Sequence, residues 1–137
     1  MAARSKARKR ALDVLYESDI RSGDALAILA SRKEQADPPV GEYASVLVEG
    51  VLANRSRIDE VIETYAQGWE IGRMPAVDRN ILRIALFEIL FQSEIDTAVA
   101  IDEAVELAKA LSTDDSPGYI NGLLGRAAPI ASSLNGE

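Results

Sequence analysis

Apolar residues in this chain recur at spacings of three and four, and no alternating run of strand length interrupts them. That period lays an apolar stripe along each of a series of helices, and the chain reads as all-α. Leu12, Leu15, Tyr16 and Ile20 stripe a first helix over about residues 3–21, which stops near Ser22-Gly23. Asp24 can cap a second helix that runs to about Glu34, and Asp37-Pro38-Pro39 is a break. Ala44, Leu47, Val48, Val51 and Leu52 mark a third segment from about Gly41 to Asn54. Ile58, Val61, Ile62 and Tyr65 mark a fourth, from about Arg55 to Gln67.

Residues 68–74 read as a joint, and Pro75 suits a first helical turn. From Pro75 to Gln92 the sequence is apolar on nearly every side, which is the pattern of a central, enclosed helix. A sixth helix covers about Val99 to Leu111. Thr113-Asp114-Asp115-Ser116-Pro117 then combines cap residues with a proline, so a last helix runs from about Pro117 until Pro129. Asp114 and Asp115 are its negative cap, and Gly122 on it suggests close helix packing. One domain is expected, with sub-bundles of about 1–68 and 75–137.

Composition narrows the chemistry. The 137 residues include no Cys and no His, which removes disulfides, thiolate nucleophiles, Cys- or His-built zinc sites and Ser-His-Asp arrangements. No Gly-rich phosphate loop is spelled. Asp102, Glu103 and Glu106 are the nearest approach to a carboxylate site, but Glu106 can pair with Lys109, and a solvated face is the favoured reading. No metal or cofactor is implied. No apolar run has the length of a membrane span and residues 1–10 lack a signal-peptide core, so a cytoplasmic protein is the expectation.

Charge changes the picture more. The net charge of −7 combines a tip and a body of opposite sign. Residues 1–10 carry five cations (Arg4, Lys6, Arg8, Lys9 and Arg10) and no acid, while the other 127 residues carry 10 cations and 22 acids. A polyanion responds to the local field, because salt screens charges beyond about 8 Å at physiological ionic strength. Cations in a first helical turn also oppose the helix dipole. Two readings stand: a phosphate-gripping arm, as basic termini often are, or a solvated tail. Tyr16, farther along the same helix, can stack on a base; its place in the apolar stripe favours a partly buried core residue. Arg79 and Arg83 lie four apart on the central helix and need partners. For Arg83 an internal acid such as Asp102, Glu103 or Glu106 is favoured over an external phosphate.

Five segments in order resemble the NusB family of bacterial transcription antitermination factors, its actinobacterial members most of all. They are Ala7-Arg8 with Ala11-Leu12 and Val14-Leu15-Tyr16; Ile58-Asp59-Glu60-Val61-Ile62 with Trp69; Val77 to Leu90; Ala100 to Lys109; and Tyr119-Ile120-Asn121-Gly122-Leu123-Leu124. The resemblance implies an all-α, NusB-like bundle of about seven helices in two sub-bundles. It implies binding of boxA-type single-stranded RNA together with NusE, a ribosomal small-subunit protein. Loading onto the RNA polymerase antitermination complex during rRNA transcription would follow, with no membrane partner and no enzymatic activity.

Within the family the arginine-rich N-terminal motif contacts RNA, and Arg4, Lys6 and Arg8 match its cationic positions. Ser5 stands where Arg is frequent, and Lys9 and Arg10 could compensate. Tyr16, Arg83, Asp115 and Tyr119 match the RNA-facing surface, with Tyr119 where the family often has Phe. Ser116-Pro117-Gly118 departs from forms without proline. Related actinobacterial proteins can form homodimers. An RNA methyltransferase that begins with such a domain is a poor fit, because no residues remain for a cofactor-binding domain. A helical protein-binding adaptor without RNA contacts is the competing reading.

Overall fold

A computed structural model describes residues 2–35, 42–66 and 68–134; among these the chain forms seven α-helices and no strand. The helices are α1 (Ala2–Arg21), α2 (Ala25–Gln35), α3 (Glu42–Ala53), α4 (Arg55–Tyr65), α5 (Ala76–Phe91), α6 (Thr97–Leu111) and α7 (Ser116–Leu134). One tight turn of 3₁₀ helix, Ile71–Arg73, lies in the joint before α5. The Asp37-Pro38-Pro39 break and the expected start of α3 at Gly41 lie outside the described residues. No described helix is long and apolar enough to cross a membrane.

Local chemistry explains the boundaries. Ser22 adopts a left-handed φ of 53°, and the N–H of Gly23 reaches back 3.0 Å to the Ser18 carbonyl, closing the end of α1 as a Schellman turn. Asp24 caps α2 as expected, its Oδ1 accepting the Leu26 N–H at 3.0 Å. Asn54 alone separates α3 from α4, and its side chain donates to the Gly50 carbonyl at 2.9 Å. Three expected limits move, the first being α4, which ends at Tyr65 and not near Gln67. Helix α6 begins at Thr97, two residues earlier than its apolar stripe. Helix α7 continues through Pro129 instead of ending there. Pro129 is exposed, and so is Gly125 one turn before it, so water can serve the carbonyl that proline leaves unbonded.

Helix α5 is the axle. Eleven of its 16 residues are buried, including Ile81, Leu82, Ile84 and Leu86, and α1, α3, α4, α6 and α7 all pack on it. One continuous apolar core runs from Leu12 and Val14 of α1 through Leu47, Val48 and Ile62 to Leu123 and Leu124 of α7. Helix α1 lies antiparallel to α5: Arg8 near its start meets Glu88 near the end of α5, and Asp19 near its end meets Arg79, Asn80 and Arg83 near the start. The opening turn of α5 is tied to α7 by a buried cluster. Asp78 accepts from Ser112 and, at 2.8 Å, from Ser116, whose hydroxyl also lies 2.7 Å from that of Thr113.

The close approach of helices falls elsewhere than at Gly122. Above Gly122 lies the Arg126 guanidinium, 3.2 Å from where a Cβ would be, and no neighbouring helix. The tight contact is at Gly50 of α3, where the Phe87 ring of α5 fills the place a Cβ would occupy. Phe87 is buried and stacks on Phe91 at a centroid distance of 6.0 Å, so it has little room to yield. Gly50→Ala should therefore cost about 1–3 kcal/mol by overpacking, although helix propensity alone would favour alanine by about 1 kcal/mol. In a Phe87→Leu background the same substitution should become neutral or stabilising. Denaturant unfolding of the four proteins measures both differences.

Candidate nucleic-acid interface

The first three turns of α1 sort the basic residues by direction. Arg4, Lys6 and Lys9 are exposed and Arg10 is half-buried. The Arg4 guanidinium carbon lies 5.4 Å from the centre of the Tyr43 ring at the start of α3. Lys9 pairs with Asp13 at 3.0 Å on the open surface, a pair worth a few tenths of a kcal/mol and weakened by salt. These four cations share one end of the molecule.

Arg8 shares a face of α1 with Arg4 but turns into the core. It is 2% exposed and its guanidinium enters the core, where Nε lies 3.0 and 3.1 Å from the two oxygens of Glu88, itself 1% exposed. Its Nη1 donates to Glu103 of α6 at 2.9 Å. The Tyr43 hydroxyl also donates to Glu88, and the Ser5 hydroxyl donates to Glu103. Burial alone would lower the Arg8 pKa, but the hydrogen bonds and charge of Glu88, with Glu103, more than reverse that and hold the guanidinium charged. Burial and the neighbouring Glu88 carboxylate push the Tyr43 hydroxyl above its ordinary value, so the ring stays a neutral phenol. Glu103 is therefore turned inward from the acidic face of α6 and is not wholly solvated, whereas Glu106 pairs with Lys109 at 3.2 Å as expected. Among the described residues no group of three acids could hold a metal ion.

Arg83 is also internal, but its partners are not the expected acids of α6. Its Nε and Nη2 grip both oxygens of Asp59 on α4, at 2.8 and 3.0 Å, and Nη1 reaches Asp19 of α1 at 3.2 Å. Asp59 and Asp19 lie far away in sequence, and helical spacing carries no signal for such a meeting. Asp19 gathers three donors from one face of α5, with Arg79 at 2.6 and 3.0 Å and Asn80 at 2.9 Å beside Arg83. Burial would raise the Asp19 carboxyl, but Arg79 and Asn80, helped by the Arg83 charge, hold it below the usual carboxylate range.

The remaining candidates are spread out. Tyr16 is 37% exposed, at the margin of the core and open to a stacking partner. Asp115 is exposed just before α7, and its carbonyl, 3.2 Å away, accepts the Tyr119 N–H. Tyr119 is half-buried and meets Trp69 edge to face at 4.9 Å, and burial raises its pKa. This end of the molecule adjoins Asp78, ten residues or roughly 15 Å along α5 from Glu88. The exposed cations all lie in the first three turns of α1, whereas Asp115 and Tyr119 stand toward the other end of α5. Glu88 and Tyr43 are site residues that sequence reasoning passed over. The one available signal was Glu88 in the last apolar turns of a helix enclosed on nearly every side, where an acid must find a buried partner.

Removing one member of a buried pair leaves the other charge stranded, at about 3–5 kcal/mol. Glu88→Ala and Arg8→Ala should each lose that much in denaturant unfolding, and Arg8→Met with Glu88→Leu should recover most of it. Acid should act through Asp19. Its folded pKa is depressed, so its stabilisation is complete above the unfolded carboxylate pKa and is lost as pH falls through the folded one. Melting temperature should drop below about pH 4, and Asp19→Asn should melt lower at neutral pH with a shallower acid limb.

The sequence matches the NusB family over residues 5–129. It is 60% identical over 136 residues to the transcription antitermination protein NusB of Saccharopolyspora erythraea, covering 98% of this chain and 92% of that protein. The NusB of Kineococcus radiotolerans is 53% identical, with 98% and 99% covered. Among solved structures, NusB of T. maritima superposes with a TM-score of 0.84 at 34% identity, over 92% of this chain and 90% of that one. A chain from a crystal structure of the antitermination factors NusB and NusE in complex with double-stranded RNA gives 0.84 at 26% identity, over 94% and 98%. Full-length similarity in sequence and fold together establish that the chain belongs to the NusB family of transcription antitermination proteins.

Proposed function

We propose that this protein is a non-enzymatic antitermination factor that binds boxA-type single-stranded RNA jointly with NusE and supports processive rRNA transcription in the cytoplasm. The observation that carries the reading is the exposed cationic tip of α1, where Arg4, Lys6 and Lys9 face solvent beside the half-buried Arg10. The body of the protein is acidic, so phosphates are drawn to that tip and repelled elsewhere. A relative of the same fold crystallised with NusE and RNA supports the choice of partners.

Roles divide by exposure. Arg4, Lys6, Lys9 and Arg10 neutralise phosphates, and Tyr16 offers a ring to an unstacked base. Asp115 and the Tyr119 edge form a second contact for RNA that continues along the molecule. Arg8 and Arg83 serve binding indirectly: their guanidiniums are taken by Glu88, Glu103, Asp59 and Asp19, and they fix the surface that RNA meets. The chain acts as one unit whose two helical halves share α5.

With three or four phosphates neutralised, log K should fall against log salt with a slope of about −2 to −3 for a single strand. Fluorescence anisotropy with boxA-like RNA, with and without NusE, measures it. Arg4→Ala with Lys6→Ala should weaken binding and flatten the slope by about 1.4. Unchanged affinity and slope, with NusE binding indifferent to RNA and to the same double substitution, would establish the protein-binding adaptor instead.

A further inference from the structure

The ring of Tyr43 lies under Arg4, and its hydroxyl is fixed to Glu88, which also holds Arg8. Two arginines one helical turn apart on α1 therefore report to the same Tyr–Glu pair, one exposed and one buried. At 5.4 Å the Arg4 guanidinium sits over the ring face as a cation–π partner, and the N–H groups turned away from the ring remain open to a phosphate. A long side chain at the exposed end of a helix otherwise samples many rotamers, and ordering it on binding weakens the complex. The ring itself cannot swing, because the hydroxyl is hydrogen-bonded to a nearly inaccessible carboxylate at the end of α5. Tyr43 stays a neutral phenol, so it presents no charge that would trap the cation.

We infer that Tyr43 is a positioning residue for RNA binding: it pre-orients Arg4 toward phosphate and ties the arm to the buried Arg8–Glu88 pair. This rests on the RNA-binding reading above and deepens it. The alternative use of the same contact, in which the ring holds Arg4 back from RNA, predicts the opposite sign for ring removal.

The test is a double-mutant cycle between positions 4 and 43, read by anisotropy with boxA-like RNA on the full chain. Tyr43→Gln removes the ring and can still donate to Glu88. It should weaken binding about two- to fivefold, the equilibrium equivalent of a cation–π contact at an exposed site, with the salt slope unchanged because no charge is lost. Tyr43→Phe keeps the ring but frees it from Glu88, and its affinity should fall between the wild type and Tyr43→Gln. Arg4→Ala should flatten the slope by about 0.7, and Tyr43→Gln added to it should cost nothing further. Circular dichroism melts select a temperature at which every variant is folded. If Tyr43→Gln leaves affinity unchanged, weakens it equally in the Arg4→Ala background, or strengthens it, the inference is overturned. If Arg4→Ala alone changes neither affinity nor slope, the RNA-binding reading of the arm fails first, and the two failures are thereby distinct.

Discussion

The structure depends on how charge is accommodated around α5. A helix that is apolar on nearly every side can slide or rotate against its neighbours with little change in buried apolar area. The ionic groups along α5 remove that freedom. Sliding α1 by one turn would separate Arg8 from Glu88 and Asp19 from Arg79, Asn80 and Arg83, stranding charges that cost several kcal/mol when unpaired in the interior. Two such clamps, one at each end of the α1–α5 contact, fix register and direction together. The Asp78 cluster does the same for α7, through neutral hydroxyls instead of cations.

That arrangement also decides what the basic tip can do. Five cations crowd the first ten residues, yet they do not form one uniform patch. Arg8 is neutralised inside the protein, and Lys9 shares its charge with Asp13. What reaches solvent is a smaller set held on a helix whose base is anchored in the core. An anchored arm keeps its cations at defined positions relative to Tyr16 and Tyr43, which a frayed tail could not do. Membership of the NusB family gives this surface its context, and burial then divides cations that can meet a phosphate from those that secure the scaffold.

Packing detail follows the same logic of constraint. The contact of Phe87 with Gly50 sets how near α3 lies to α5, and so where Tyr43 at the start of α3 stands relative to Glu88. Asn54 joins α3 to α4 with no loop to absorb error, which carries Asp59 to Arg83.

The sequence by itself determined the helical class, the number of helices and most of their ends. Those properties follow from periodicity, caps and prolines, which act within a few residues. It also determined the charged tip, the enclosure of α5 and, through five ordered segments, the family. Tertiary structure alone decided which charges are spent inside. Arg4 and Arg8 read alike in sequence, one turn apart and both cationic, yet one meets water and a tyrosine ring while the other is enclosed by Glu88 and Glu103. Arg83 was legible as needing an acid, but Asp59 and Asp19 became its partners only when α4 and α1 packed on α5. A helical period tells which face is apolar. It carries no information about which distant helix brings its charge to that face, because that depends on packing between elements remote in the chain.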